Sequence, residues 1–466
     1  MKDKQSINPA RRAWPRRAKN HERGNIMSIL TKFMLPFLVV VFLLVGAVPS
    51  GAGVDVQCPG DLNGDAIPDP DFLEGTLPDP NPDEIEVGDP NPDFDPNVRC
   101  MHLGAGDGFV TMADGKLQYI FSYSDLTGIL DDPLTIGLDE RMDAGMLAAT
   151  FPAPQIVLDE GDEFYLSLTN VGMMIRPDLF DPHTVHWHGF PEASSVFDGV
   201  PDASISINMG SSLTYYYNVV EPGTYMYHCH VEATEHMQMG MLGNLYVRPA
   251  QNKLPDSTVL NGFIHNVGNE YAYNDGDGST FYDVDYAIQI GAFDSDFHDS
   301  SYTVQPLPFA AMRNNYPMLN GRGYPDTVNP DPLPAPPEAN PVPGTTSTQL
   351  ASSLITADAG DRVLLRLSSL DVQRFYTVAT IGIPIKVVGY NARLLRGPSP
   401  DGTNPGKDLY YTTNSVTLGG GESVDVILEI PLAPSGTTYF LYTTNLNYLS
   451  NNQEDFGGMM TEIVIN

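Results

Sequence analysis

The sequence predicts an all-β protein built from two β-sandwich domains of one type. From about Met101 onward, short runs of alternating apolar residues are separated by Gly, Pro, Asn and Asp, a pattern typical of sandwich strands. Two of these runs share one layout, a Gly-Asp turn followed by three apolar residues at a period of two: Phe164, Leu166 and Leu168 after Glu160–Asp162, and Val363, Leu365 and Leu367 after Ala359–Asp361. This diverged internal repeat predicts two related domains.

The 466 residues are enough for two or three domains, each with its own core. We predict four parts: a signal region at 1–52, an acidic segment at 53–100, a first β-domain at 101–250 and a second at 251–466. The Pro-rich stretch Pro325–Pro343 cannot sit in a central strand, because proline has no N–H to donate. We place it as an insertion within the second domain.

The chain is strongly acidic, with 58 Asp and Glu against 24 Lys and Arg and a formal net charge of -34. Nucleic-acid binding requires clustered cationic side chains that displace counterions from phosphates, so nucleic acid is excluded as a partner. Solubility is the simplest explanation of the acidity, and attraction of cations or basic redox partners is the alternative.

An apolar stretch near the N-terminus, Phe33–Ala47, follows basic residues and precedes the small residues Ser50, Gly51 and Ala52. This is the layout of a secretory signal peptide, and an uncleaved anchor is the alternative. Met27 offers a second start position. We expect a secreted, periplasmic or cell-surface protein.

The acidic segment repeats the sequence DPNPD and is a poor core former. Its loop DLNGDAIPD alternates the oxygen-bearing residues Asp61, Asn63, Asp65 and Asp69, which makes it a candidate calcium loop, with an acidic turn as the alternative. In an oxidising compartment Cys58 and Cys100 could pair across this segment. Cys229 would then remain as an odd thiol, for which metal ligation is the first role to consider.

Six of the ten histidines cluster with Cys229 between residues 183 and 236. In a strand, residues two apart share a face, so His186 and His188 can converge on one metal. The same alternation in His228-Cys229-His230 directs two imidazoles one way and the thiolate the other. One strand could thus serve two adjacent metal sites.

The thiolate side has the ligand set of a blue copper centre, which is two imidazoles, a thiolate and a weak axial thioether. The residues that supply it are His183, Cys229, His236 and Met241. Zinc is the alternative metal, but a closed zinc site needs neither a trailing methionine nor paired histidine motifs.

The segments HTVHWHG and YHCHVEATEHMQMGM resemble the copper motifs of the multicopper oxidases, and FDGVP and EPGTYMYHCH add to the likeness. This resemblance implies cupredoxin-like Greek-key domains, with His183, Cys229, His236 and Met241 as type 1 copper ligands. It also implies that His186 is a type 2 ligand and that His188, His228 and His230 are type 3 ligands, the four forming the catalytic half-site.

The chain departs from the family pattern in two places. The loop from His230 to His236 is slightly longer than usual, and the second domain has Ala379–Ile381 and Thr443–Asn445 where the family has further histidines. Only half of a trinuclear cluster is therefore visible. The two histidines of the second domain, His265 and His298, are interpreted as loop residues and not as ligands.

Three functions follow from these motifs. The first is oxidation of a reductant at type 1 copper, coupled to oxygen reduction at the cluster. The second is electron transfer by a type 1 copper protein whose cluster is degenerate, and the third is a relative of copper nitrite reductase. The reductant could be a small molecule, a metal ion or a cytochrome. An oligomer or a partner chain could complete the half-site.

Overall fold

A computed structural model describes residues 57–71, 88–130, 140–400 and 405–466. The signal-like stretch Phe33–Ala47 lies outside these residues. Within them, none of the helices combines the length and the apolar character that crossing a membrane demands.

The first half of the chain folds into two four-stranded sheets. Its strands are β1 (Val98–Thr111), β2 (Leu117–Asp125), β3 (Ala153–Asp159), β4 (Glu163–Gly172), β5 (His186–His188), β6 (Ser212–Asn218), β7 (Gly223–His228) and β8 (Leu242–Arg248). The strand orders are β2-β1-β4-β6 and β3-β8-β7-β5. The predicted alternation places Phe164, Leu166 and Leu168 of β4 in the core between these sheets.

The second half contains a seven-stranded and a five-stranded sheet. Their strands are β13 (Val284–Phe293), β14 (Tyr316–Leu319), β17 (Ile355–Ala357), β18 (Arg362–Ser369), β19 (Tyr376–Ile381), β20 (Ile385–Tyr390), β21 (Arg393–Leu394), β22 (Tyr411–Thr413), β23 (Ser415–Leu418), β24 (Glu422–Glu429), β25 (Thr438–Thr443) and β26 (Met460–Ile465). The strand orders are β14-β13-β18-β24-β20-β21, with β22 also on β20, and β17-β26-β25-β19-β23.

Three two-stranded ribbons lie outside the large sheets. They are formed by β9 (Val259–Leu260) with β10 (Phe263–Ile264), β11 (Glu270–Tyr271) with β12 (Phe281–Tyr282), and β15 (Leu333–Pro334) with β16 (Ser347–Gln349). The Pro-rich stretch thus contributes only one strand of two residues, and this strand lies in a ribbon.

The two halves repeat one pattern of strand pairing. In the first, β1 lies antiparallel to β2 and parallel to β4, and β4 lies antiparallel to β6. In the second, β13 has the same relations with β14 and β18, as does β18 with β24. The facing sheets also match, because β3-β8-β7-β5 and β17-β26-β25-β19 have the same sequence of parallel and antiparallel pairs. The all-β fold predicted from the sequence is confirmed, while the exact domain boundaries stay a prediction.

Three short α-helices occur in the described residues: α1 (Glu140–Gly145), α2 (Ala233–Met239) and α3 (Ser295–Tyr302). Asp294 caps the N-terminus of helix α3, because its carboxylate accepts hydrogen bonds from the backbone N–H groups of Asp296 and Phe297. Helix α2 lies in the loop between the predicted ligands Cys229 and Met241. The extra length of that loop is therefore taken up in helical structure.

Buried hydrogen bonds fix the first β-domain against the second. Thr224 Oγ1 donates to Asp425 Oδ1 at 2.5 Å, and Ser423 Oγ donates to the carbonyl of Thr224 at 2.6 Å. Tyr273 donates its hydroxyl to the other oxygen of Asp425. Strand β7, which ends at the predicted metal ligands, is thereby held against strand β24.

Candidate metal centres

The thiol of Cys229 lies between two imidazole nitrogens. His236 Nδ1 is 3.2 Å from Cys229 Sγ, and His183 Nδ1 is 3.8 Å from it. All three side chains are fully buried and converge closely enough to share one ion. His183 comes from a segment whose backbone pairs with Ile207, so the ligand from the distant part of the chain is held by main-chain hydrogen bonds.

Met241, the predicted axial ligand, is fully buried in the same core. Its N–H donates to the carbonyl of His236 at 2.8 Å, and its own carbonyl accepts the N–H of Cys229 at 3.1 Å. The loop that starts after Cys229 thus closes back onto it. Gly240 makes the closure possible, because its φ is +116° and a side chain there would press on the carbonyl of Phe121.

These residues fit a copper ion. Two imidazoles and a thiol are the trigonal donor set of blue copper sites. Burial lowers the pKa of His236 to about 4, so its ring is neutral and has a lone pair for a metal. Burial also raises the pKa of the Cys229 thiol to about 11, and a bound cation would reverse this by stabilising the thiolate.

A second group of imidazoles lies on the other side of Cys229. One nitrogen each of His186, His188 and His228 lies within 4.8 Å of the others. Strand pairing explains this, because His186 is directly opposite His228 in the β5–β7 ladder. The ring of His230 lies 5.2 Å from that of His186 and 5.6 Å from that of His228, so the fourth predicted histidine borders the group.

Hydrogen bonds to backbone carbonyls fix the tautomers of two of these rings. His186 Nδ1 lies 2.6 Å from the carbonyl oxygen of Asp198, and His228 Nδ1 lies 2.8 Å from that of Cys229. A carbonyl only accepts, so each Nδ1 carries the proton and each Nε2 is left with a lone pair. Burial lowers the pKa of His228 to about 3, which keeps it neutral.

The second β-domain approaches this histidine group, and its described residues add no imidazole to it. A side chain at Gly421, in the turn before β24, would come within 2.6 Å of His188 Nε2. Strand pairing places Ala379 of β19 opposite Tyr442, as His186 is opposite His228, and the N–H of Thr443 donates to Met459 as that of Cys229 donates to Met241. Ala379–Ile381 is therefore the counterpart of His186–His188, as expected, while the counterpart of His228–His230 is Tyr442–Thr444 and not Thr443–Asn445.

The two remaining histidines of the second domain have other partners. His265 Nδ1 lies 2.9 Å from the hydroxyl of Tyr271. His298 lies in helix α3 and not in a loop, and its two nitrogens face the carbonyls of Tyr119 and Gln238. Nothing in the sequence indicated that His298 packs against the loop between Cys229 and Met241.

The candidate calcium loop directs its carboxylates at its own backbone. Asp61 accepts from the N–H groups of Gly64 at 2.7 Å and Ala66 at 2.8 Å, and Asp69 accepts from that of Leu62. Asn63 and Asp65 also cap backbone N–H groups in the turn. Calcium is not supported there. The predicted disulfide between Cys58 and Cys100 is present.

An acidic pair beside His236 was missed in the sequence. Asp181 Oδ2 lies 4.0 Å from His236 Nε2, and Glu232 completes a group in which all three ligand atoms lie within 4.8 Å. His236 Nε2 is buried and has no hydrogen-bond partner. The outer nitrogen of one predicted copper ligand thus faces two carboxylates.

The first β-domain is similar in sequence to known proteins over part of its length. Residues 137–252 match a family model described as multicopper oxidase. A multicopper oxidase of Talaromyces pinophilus is 36% identical over 114 residues, which are 24% of this chain and 17% of that protein. One from Mycobacterium tuberculosis is 40% identical over 82 residues, 18% of this chain and 15% of that protein. The matches thus span under a fifth of these relatives' length.

The fold also matches solved structures over most of the chain. A blue copper oxidase from Nitrosomonas europaea superimposes with a TM-score of 0.53 at 22% identity, covering 79% of this chain and 86% of that one. The multicopper oxidase mgLAC gives a TM-score of 0.52 at 20% identity, with the same coverage. Part of the first β-domain thus resembles multicopper oxidases in sequence, and the chain has the cupredoxin fold of these solved structures.

Proposed function

We propose that this chain is a secreted copper oxidoreductase that takes single electrons from a reductant at the His183–Cys229–His236 site. The convergence of two Nδ1 atoms on Cys229 Sγ carries this proposal. Copper bound there would supply one-electron redox chemistry. Export is supported by the signal-like stretch Phe33–Ala47 and by the Cys58–Cys100 disulfide.

Cys229 provides the bonded path between the two candidate centres. Its side chain faces His183 and His236, while its chain neighbours His228 and His230 stand at the other centre. An electron that arrives at the thiolate therefore needs to cross only one cysteine residue and the adjoining histidine. Burial of Cys229 and His228 keeps water away from this path.

The acidic pair favours a cationic reductant. Asp181 and Glu232 stand beside the unpartnered Nε2 of His236, which is the outer edge of the first centre. Carboxylates are ligands for hard cations, and a metal ion held there would be one imidazole away from the first centre. We therefore propose a ferrous ion or a similar cation as the reductant.

We do not propose that the chain alone reduces oxygen fully. The histidine group offers three converging nitrogens and a fourth ring, and the topologically equivalent strands β19 and β25 offer no imidazole. A partner chain or a second copy would have to supply the rest. Without it, we propose that the chain acts mainly as an electron carrier with weak oxygen uptake.

The test uses the purified full chain loaded with copper. We expect a blue protein that Fe²⁺ bleaches faster than a neutral phenol or a reduced cytochrome does. Replacing Asp181 by Asn and Glu232 by Gln should slow bleaching by Fe²⁺ about tenfold and leave the rate with the phenol unchanged, because only the cation needs the carboxylates.

Asp202→Asn is the matched control, since Asp202 is an exposed carboxylate of the same domain. Equal effects of the double replacement on both reductants would refute the cationic reductant. A colourless protein with a full complement of copper would refute the first centre itself.

A further inference from the structure

The second β-domain contains an open polar pocket of about 720 Å³ that none of the copper chemistry uses. Among its described lining residues are five asparagines, one glutamine and two arginines, with Asp296 as the one carboxylate. The lining charge is thus positive, in a chain whose net charge is -34. The carboxylates of Asp294 and Asp371 lie next to the pocket but not among its lining residues.

Within the part of the chain that the structure describes, the two arginines form hydrogen bonds through their backbone N–H groups but not through their side chains. The N–H of Arg374 donates to Asp371 Oδ1 at 2.7 Å, and that of Arg313 donates to Asp294. Neither guanidinium has an ion pair or a hydrogen bond to any residue that the structure describes. Two guanidinium groups are therefore positioned at one pocket without an ion-pair partner among the described residues.

The carboxamide side chains that line the pocket are fixed by hydrogen bonds. Asn314 Nδ2 donates to Asp371 Oδ2 at 2.8 Å and to the hydroxyl of Tyr376 at 3.2 Å. Asn315 Nδ2 donates to Asn452 Oδ1 at 3.1 Å. The Oδ1 of Asn314 is buried and accepts no hydrogen bond, so this site has an acceptor that still needs a donor.

These groups define the chemistry of a ligand. Guanidinium groups match carboxylates, while carboxamides offer both a donor and an acceptor, as sugar hydroxyls do. The two arginine side chains are exposed, whereas the carboxylates of Asp371 and Asp294 beside them already accept hydrogen bonds from Asn314 and from backbone N–H groups. We propose that this pocket binds an acidic saccharide, through Arg313 and Arg374 on its carboxylates and through the asparagines on its hydroxyls.

The position of the pocket supports a separate role for the second domain. Asn445 lines it and directly follows Thr444, which strand pairing makes the counterpart of His230 in the first domain. The end of the sandwich that carries imidazoles in one domain thus carries carboxamides in the other. Saccharide binding is independent of the proposed copper chemistry and would persist in protein freed of copper.

The experiment is isothermal titration calorimetry on the purified full chain, with and without copper. The probes are trigalacturonate, the neutral trisaccharide maltotriose and inorganic sulfate. We expect saturable binding of trigalacturonate that is the same in both forms. Arg313→Gln and Arg374→Gln should each weaken it about tenfold or more, because each removes a charge-assisted bond.

Arg99→Gln is the control, because Arg99 is a half-exposed arginine outside the pocket, and it should bind as the wild type does. Unchanged unfolding temperatures would show that the pocket variants remain folded. Absence of trigalacturonate binding, equal binding of maltotriose, or equal binding of sulfate would each overturn the proposal. So would wild-type affinity in both arginine variants.

Discussion

His298 Nε2 lies 2.9 Å from the carbonyl oxygen of Gln238, so a histidine of the second domain is held against the loop that carries the predicted ligands His236 and Met241. Its Nδ1 lies 2.6 Å from the carbonyl of Tyr119. Burial lowers the pKa of His298 to about 4, which leaves one ring proton to serve two carbonyls at neutral pH. The ring bridges strand β2 and helix α2.

Replacing His298 by Leu should weaken the packing of the loop between Cys229 and Met241, which carries the predicted ligand His236. We expect the free energy of unfolding to fall by about 1–3 kcal/mol, because buried carbonyls lose their donor, and the blue absorption band to weaken or shift. His265→Leu is the matched control, since His265 is equally buried but bonds to Tyr271. It should lose stability with an unchanged band. An unchanged spectrum of His298→Leu would contradict a positioning role.

Replacing Cys229 by Ser should abolish the blue colour. The hydroxyl keeps the shape of the side chain but removes the sulfur donor, which is the only one besides a thioether in the proposed set. Visible absorption and copper content per chain measure the result. A Ser variant that remains blue would show that the thiolate is not the ligand.

Replacing His186 and His188 together by Ala should remove copper from the second centre and leave the first blue. Both residues belong to the second histidine group, whereas the first centre is formed by His183, Cys229 and His236. Copper content should fall while the visible band keeps its intensity. Loss of the blue band in this variant would mean that the two centres are not separate.

Gly421→Ala should disturb the centre that contains His188, although Gly421 belongs to the second domain. The added Cβ would lie 2.6 Å from His188 Nε2, and the φ of +87° already disfavours any side chain. We expect partial loss of copper from the second centre with the blue band kept. Gly436→Ala also has positive φ but open space around it, and serves as the control. Equal copper content in the two variants would refute the contact.

Asp425→Ala should destabilise the joint between the two domains. The carboxyl group is fully buried and accepts hydrogen bonds from Thr224 and Tyr273. Removing it leaves these two donors unpaired, at a cost of about 1–3 kcal/mol in unfolding free energy for each donor. Denaturant unfolding measures this. The exposed Asp455→Ala should change little, and a similarly small effect at Asp425 would contradict the prediction.

The sequence was informative where contacts are local. Alternation in β4 predicted its buried face, and the spacing of His228, Cys229 and His230 predicted two centres on one strand, because both depend on a period of two. The repeated Gly-Asp turns, each followed by apolar residues at a period of two, predicted two domains of one topology.

The remaining features depend on residues far apart in the chain. His298 reaches Gln238 across 60 positions, and Gly421 reaches His188 from another domain. The one-residue error in the second domain arose because strand register there is set by pairing between β19 and β25, which motif spacing does not encode.

The hydrogen bonds of His298 also imply an order for folding and copper binding. A chain emerging from the ribosome presents Cys229, His236 and Met241 well before residue 298, and domains fold as they emerge. Copper delivered at that stage would meet a loop without its distal support. Metal loading should therefore follow completion of the C-terminal half, so that a truncated chain fails to mature as a copper protein even with every first-centre ligand present.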